Sequence, residues 1–377
     1  MKLGITALLE DPAPLQGLRV GAILNPTSLD ERLRHLADLL PGLTALFGPE
    51  HGVRGDAQYL EDIGDARDAR TGLPEHSLYG KDFASLTPRA EHLAGLDALV
   101  FDIQDVGSRY YTYLATMGLA MEAAARHKLR FVVLDRPNPI GGAEVEGGIV
   151  HPGFESFVGL WPIATRHGLT AGEVARWLNE RVRCELHVVP MQGWKRSMLF
   201  HDTGLPWVMP SPNMPSVETA LIYPGMCLLE GTNLSEGRGT TKPFELWGAP
   251  WLDGHKLAEA LDGLPGVKFR ACSFTPTWDK HAKERCHGVQ IHLTDPRALR
   301  PVELGVQCIL KAREQDPSKF RWRTERYEFV DDKPAIDLLT GSDAFRKRVD
   351  AGQGVQGLWD AEEAGFRKER ERFLLYA

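Results

Sequence analysis

Long apolar runs are missing from this 377-residue chain, and none approaches the roughly 20 residues that a membrane-spanning helix needs. The apolar stretch near the start, within Met1 to Asp11, is too short for a secretory leader. The expected compartment is therefore the cytoplasm, or an exported one if a leader has been removed. Basic tracts are absent as well. Lys and Arg number 44 against 51 Asp and Glu, and a net charge of −7 speaks against a nucleic-acid partner. Cysteine is scarce: Cys184, Cys227, Cys272, Cys286 and Cys308 are an odd number at wide spacing, which predicts reduced thiols rather than a disulfide framework. No Cys-x-x-Cys pair and no His-Glu-x-x-His set occurs, and His281, His287 and His292 are scattered, so no metal site is expected. The sequence also lacks a Gly-x-Ser-x-Gly elbow, a phosphate-binding Gly-x-x-x-x-Gly-Lys-Ser/Thr loop and a Gly-x-Gly-x-x-Gly turn after its first strand. Those absences remove the serine-hydrolase, nucleotide-loop and dinucleotide readings, and no cofactor is expected.

The apolar and charged fractions, 43% and 25%, are those of a soluble globular protein long enough for two lobes. Apolar runs over 18–24, 44–47, 98–101 and 131–134 predict four buried strands, and helical spacing of Leu33, Leu36, Leu39 and Leu40 predicts a helix over 31–40. A second helix is predicted over 113–127. The alternation points to an α/β protein with a Rossmann-like parallel-sheet lobe. From about Gly147 the texture changes, with more Gly, Pro and Trp, and the lobe boundary is placed near 155. The division is thus 1–155 and 156–377, the second part being a smaller α/β lobe. Within it, helices are expected over 170–181 (Thr170 as N-cap, Glu173 in the capping-box position), 253–261 and 302–313, and strands over 186–189, 267–271 and 289–293. A final helix over 355–376 would carry Trp359, Phe366 and Phe373 along one face.

Three of the first strands end in loops rich in charge, glycine and proline, at the sheet edge where open α/β sheets bind ligands. Gly48-Pro49-Glu50-His51-Gly52-Val53-Arg54-Gly55 puts an acid, an imidazole and a guanidinium between glycines. Glu50 is either a solvated surface acid or a functional one, and its Pro and His neighbours favour function. A polar excursion follows as far as Gly80 and is expected to serve the site. Asp102, Gln104, Asp105, Arg109, Tyr110 and Tyr111 follow the third strand. They suit a polar ring such as a sugar, although the aspartates and Arg109 could equally be a structural ion-pair set and Tyr110 could be core. Asp135, Arg136 and Asn138 follow the fourth strand with the same ambiguity. Arg166-His167, Asn213 in Pro210-Ser211-Pro212-Asn213-Met214-Pro215, and Asn233, Ser235, Glu236 and Arg238 in Glu230-Gly231-Thr232-Asn233-Leu234-Ser235-Glu236-Gly237-Arg238-Gly239-Thr240 complete the candidates. The last stretch suits a loop that closes over a small ligand.

These five motifs, taken in order, resemble the NamZ/YbbC-like family of exo-acting β-N-acetylmuramidases, over nearly the whole chain. The resemblance implies a cleft between the two lobes and removal of terminal N-acetylmuramic acid from the non-reducing end of peptidoglycan fragments such as MurNAc-GlcNAc. It also puts Glu50 at the family's catalytic glutamate position. Glycoside hydrolysis usually employs two carboxyl groups, with Glu50 as the expected acid. Asp102, Asp105 and Glu236 are candidates for its partner, with His51 able to orient or replace one. The substrate's acetamido group is a further alternative nucleophile. Arg54, Arg109, Arg166 or Arg238 could recognise the lactyl carboxylate of the sugar. The expected partner is a small amino sugar or muropeptide. A hydrolase for N-acetylglucosamine and a non-catalytic amino-sugar-binding protein are the competing readings.

Overall fold

The computed structural model describes residues 1–55 and 66–377, so part of the polar excursion after Arg54 lies outside the described residues. Ten strands and ten α-helices are present among them. In the first lobe these are α1 (Gly4–Glu10), β1 (Val20–Leu24), β2 (Leu43–Gly48), β3 (Ala66–Arg67), β4 (Pro74–Ser77), α2 (Ala90–Leu93), β5 (Ala98–Asp102), α3 (Tyr113–His127), β6 (Arg130–Leu134), α4 (Ala171–Val182) and β7 (Glu185–Val189). The rest are α5 (Val217–Met226), β8 (Leu246–Ala249), α6 (Gly254–Ala260), β9 (Val267–Phe274), β10 (Cys286–Leu293), α7 (Pro301–Gln315), α8 (Ala335–Thr340), α9 (Ala344–Asp350) and α10 (Asp360–Arg370).

The large sheet has seven strands in the order β3-β4-β2-β1-β5-β6-β7, all parallel except the edge pair β3 and β4. β1 and β5 are buried at every position, as strands covered on both faces must be. Order reverses around β1, so β2 and β5 flank it and their carboxyl ends open on one edge. A smaller antiparallel sheet, β8-β10-β9, forms the second lobe with α6 and α7. The α/β, two-sheet architecture expected from the sequence is the one observed. Strand β7 lies beyond residue 155 yet closes the large sheet beside β6, so that sheet runs past the division read from composition.

The helix expected over 31–40 does not form; only a short 3₁₀ turn, Leu36–Asp38, occurs there. Asp30 accepts hydrogen bonds from the backbone of Arg32 and Arg34 and from the Arg34 side chain, and Leu33 takes a positive φ of 61°. A short acid that satisfies local donors in this way competes with helix formation. The 113–127 helix has the expected bounds, and Thr170 and Glu173 form a reciprocal capping box on α4. The final helix is shorter than expected and passes into a 3₁₀ turn, but Phe366 and Phe373 are buried and Phe366 meets Trp177 edge-on at 6.2 Å.

Candidate active site

β2 stops where Gly48 meets Pro49. The chain folds back at once: Gly52 donates to the Pro49 carbonyl at 2.9 Å, and His51 and Gly52 both have a φ of 76°. A Cβ on Gly48 would lie 3.1 Å from the Gly52 Cα and the Val53 nitrogen, so a larger residue would push the turn off its strand by a few tenths of an ångström. The result holds Glu50 at the mouth of a solvent-open cleft of about 610 Å³. Its side chain is 16% exposed, its Oε1 is buried without a hydrogen-bond partner, and His51 Nε2 lies 4.0 Å away. Burial pushes the Glu50 carboxyl up to about 7; Arg238 opposes the shift and Glu230 adds to it.

Tyr110, Tyr111, Thr112 and Tyr113 line the cleft from the start of α3, and Ser211, Asn213 and Met214 line it from the Pro-rich loop. Tyr111 meets Tyr113 at 5.0 Å and Tyr223 at 5.7 Å, both edge-on, and Tyr223 meets Phe244 at 4.9 Å. This aromatic wall is anchored by Tyr113 donating to the Pro210 carbonyl at 2.6 Å and by Tyr110 donating to the Pro224 carbonyl.

The second lobe supplies the opposite wall with Glu230, Arg238, Tyr327 and Glu328. Arg238 Nη2 donates to Glu230 Oε1 at 2.8 Å, and the Tyr327 hydroxyl donates to Glu230 Oε2 at 2.7 Å. Burial alone would raise the Glu230 carboxyl, but Arg238 and Tyr327 outweigh it and hold it below its ordinary value. Arg238 also lies 3.5 Å from Glu236 and over the Phe244 ring at 5.2 Å. Glu328 stands at the tip of a two-residue turn closed by reciprocal backbone bonds between Tyr327 and Val330 at 3.0 Å. Burial, with Glu50 and Glu230 nearby, pushes its carboxyl up to about 8.

Of the residues singled out from the sequence, Glu50, His51, Tyr110, Tyr111, Asn213 and Arg238 meet in this cleft. The others are placed behind it, in structural networks. Asp102 is fully buried and takes two hydrogen bonds from Arg136, at 2.5 and 2.9 Å; this pair ties β5 to the loop after β6 and does not line the cleft. Gln104 donates to the carbonyls of Asp105 and Pro137, both at 2.7 Å. Asp105 accepts from the Gly107 backbone at 2.6 Å and lies 3.5 Å from His167, which is itself fully buried. Asn138 bridges to the Leu169 carbonyl, and Asp135 caps α4 through Thr170 and Gly172.

The arginines sort in the same way. Arg54 is committed to Asp68 and Asp38, each at 2.9 Å, and Arg166 to Glu146 at 2.6 Å. Arg109 is buried and donates to the carbonyls of Gly148, Ile163 and Leu339. Asn233 pairs with the backbone of Lys319 and Arg321, Ser235 accepts from Gly237, and Glu236 holds Lys280 at 2.9 Å behind Arg238. Sequence reasoning passed over Glu230, Tyr223, Tyr327 and Glu328. Glu230 begins one of the five motifs, whereas Tyr327-Glu328-Phe329-Val330 lies outside all of them and gives no signal. Among the described residues no group of three or more His, Cys, Asp or Glu side chains could hold a metal ion.

Family models for the exo-β-N-acetylmuramidase NamZ match the chain in two parts, the N-terminal model over residues 20–218 and the C-terminal model over 221–376. The chain is 46% identical over 389 aligned positions to the peptidoglycan β-N-acetylmuramidase NamZ of Bacillus subtilis (strain 168), covering 100% of this chain and 91% of that protein. Two crystal structures of DUF1343 family proteins from Bacteroides fragilis NCTC 9343 share its fold. One has a TM-score of 0.91 at 39% identity, covering 100% of this chain and 99% of the other. The second has a TM-score of 0.78 at 29% identity, covering 100% and 98%. With both family models matched in order along one chain, and a glutamate-lined cleft between the parts they cover, the protein belongs to the NamZ family of glycoside hydrolases.

Proposed function

We propose that the protein is an exo-β-N-acetylmuramidase that removes terminal, non-reducing N-acetylmuramic acid from peptidoglycan fragments such as MurNAc-GlcNAc, with Glu50 as the general acid. The observation that carries the reading is the Glu50 carboxyl itself, held in the cleft mouth and pushed by burial up to about 7. An acid in that range keeps a large protonated fraction near neutrality, where an ordinary carboxyl keeps almost none, and can deliver its proton to a departing sugar oxygen. The wall of Tyr110, Tyr111, Tyr113 and Tyr223 offers the aromatic faces on which a pyranose ring packs.

Of the four arginines considered for the lactyl carboxylate, only Arg238 lines the cleft, so it is the residue assigned to that group. Its guanidinium is held by Glu230 and Glu236, which orient it before substrate arrives. No helix among the described residues is long and apolar enough to cross a membrane. A member acting in the cytoplasm would take imported muropeptides.

The test is hydrolysis of p-nitrophenyl β-N-acetylmuraminide and of the matching N-acetylglucosaminide, with MurNAc-GlcNAc as the natural linkage. The muraminide alone is expected to turn over, and Glu50→Gln is expected to lose about 100-fold or more of kcat on the disaccharide. Turnover of the glucosaminide would shift the specificity to that sugar. Binding of muramic acid without cleavage of any substrate would replace the enzyme with a binding protein.

A further inference from the structure

We propose that Glu328 is the second catalytic carboxyl group of this hydrolysis, acting as the base for the water that attacks the anomeric carbon while Glu50 protonates the departing oxygen. The inference deepens the glycosidase reading above and rests on it.

Three carboxylates line the cleft: Glu50, Glu230 and Glu328. Glu230 is engaged at both oxygens, one with Arg238 and the other with the Tyr327 hydroxyl, so taking up a proton would forfeit its charge pairing with Arg238. Among the described residues Glu328 makes neither a hydrogen bond nor an ion pair, and Glu50 has no cation closer than His51 at 4.0 Å. Neither acid is held by an ion pair as Glu230 is, Glu50 being hydrogen-bonded by Tyr79, and the two line the same cleft from the two lobes.

The presentation of Glu328 is built with some strain. Glu328 and Phe329 both have positive φ, 46° and 69°, at the centre of the tight turn, where glycine or asparagine would be at ease. Such backbone persists where surrounding contacts hold it, and it gathers at functional sites. Phe329 provides the hold. It meets Phe83 at 6.3 Å and Phe157 at 6.2 Å, both edge-on, and packs on a cluster of Tyr79, Leu86, Ala115, Leu119 and Phe157. The turn therefore reaches out of the second lobe and is pinned to the first, which fixes the adjacent Glu328 over the cleft.

In the step itself the C1–O4 bond breaks with its electron pair going to O4, which takes the proton of Glu50. The water oxygen forms the new bond to C1, and its proton passes to the Glu328 carboxylate. Transfer of one proton from Glu328 to Glu50 through cleft water restores the starting state. A single displacement of this kind inverts the anomeric centre.

The experiment compares wild type, Glu50→Gln and Glu328→Gln on p-nitrophenyl β-N-acetylmuraminide, whose leaving group needs little protonation, and on MurNAc-GlcNAc, whose leaving group needs it fully. Glu50→Gln should lose far more on the disaccharide than on the aryl glycoside. Glu328→Gln should lose about 100- to 10,000-fold of kcat on both, with KM little changed. Proton NMR of the wild-type reaction should show α-N-acetylmuramic acid as the first product, and azide should restore turnover to Glu328→Ala with formation of the α-glycosyl azide. Glu328→Gln within tenfold of wild type, or the β-anomer as first product, would overturn the proposal. Should Glu328→Gln fail to fold, Glu328→Asp keeps the charge but sets it back by one methylene, and wild-type kcat in a folded Glu328→Asp would be equally fatal. A wild-type protein inert towards every amino sugar would sink the glycosidase reading itself, and this one with it.

Discussion

Glu50 and Glu328 repel one another across the cleft, so they release their protons one at a time. Glu328 is pushed higher than Glu50, so the shared proton rests mostly on Glu328, and the productive form, with Glu50 protonated and Glu328 ionised, is the minor of the two singly protonated states. With carboxyls pushed up to about 7 and about 8, and with Glu230, Arg238 and Arg323 as the surrounding charges, kcat/KM should peak near neutrality and fall on either side. A pH profile on the muraminide checks this, and a maximum near pH 5 would contradict it. The same shift carries a stability cost with a definite sign. Folded Glu50 binds its proton up to about pH 7 whereas the unfolded group releases it near 4.5, so the folded state loses stability as pH rises through that window. Glu50→Gln should therefore be more stable than wild type by about 1–3 kcal/mol at pH 8, with the advantage vanishing near pH 4.5, as read from urea melts at both. Glu50 was legible in the sequence because its neighbours, Gly48, Pro49 and Gly52, announce a turn at a strand end. Asp102 and Arg136 were equally conspicuous, but sequence cannot show that each is the other's partner. Glu328 was not legible, since its role follows from a fold that brings residue 328 opposite residue 50.

At the scale of elements, the regular first lobe was readable from apolar runs, and α5 was not. It contains Pro224 and is buried at nearly every position, so it shows no polar face and no helical period. Its reason for existing is tertiary. α5 crosses α7 where Gly225 faces Gly305, and a Cβ on Gly225 would fall 1.6 Å from the Pro301 carbonyl oxygen, while one on Gly305 would fall 2.0 Å from the Gly225 carbonyl. Backbone cannot move aside as a side chain can. Gly305→Ala should cost about 1–3 kcal/mol or more in chemical denaturation and should lower activity only in proportion to the folded fraction. A neutral substitution would mean that the two helices can separate, contrary to the packing described.

Across the whole molecule, the two lobes are joined at more than their cleft. Arg109 reaches from the first lobe to the Leu339 carbonyl at the end of α8, and Glu362 and Glu363 of α10 accept the backbone N–H groups of Ile149 and Gly147 at 2.8 Å. Farther on, Tyr376 donates to Asp135 Oδ2 at 2.6 Å and meets Trp194 edge-on at 5.2 Å. Burial pushes the Asp135 carboxyl up to about 6, with Tyr376 among the donors that oppose the shift. Tyr376→Phe removes that donor from a buried acid and should destabilise the protein by about 1–3 kcal/mol, seen as a lower Tm, with KM for the muraminide unchanged because the cleft is elsewhere.

The pairing of Asp135 with Tyr376 spans 241 positions of sequence. A chain folding as it leaves the ribosome makes β6 and the loop bearing Asp135 early, then must synthesise the whole second lobe before the hydroxyl that completes that loop emerges. The first lobe is thus an assembly with a late-arriving part, and a translational pause within the second would leave a nearly finished sheet with its inner acid still open to water.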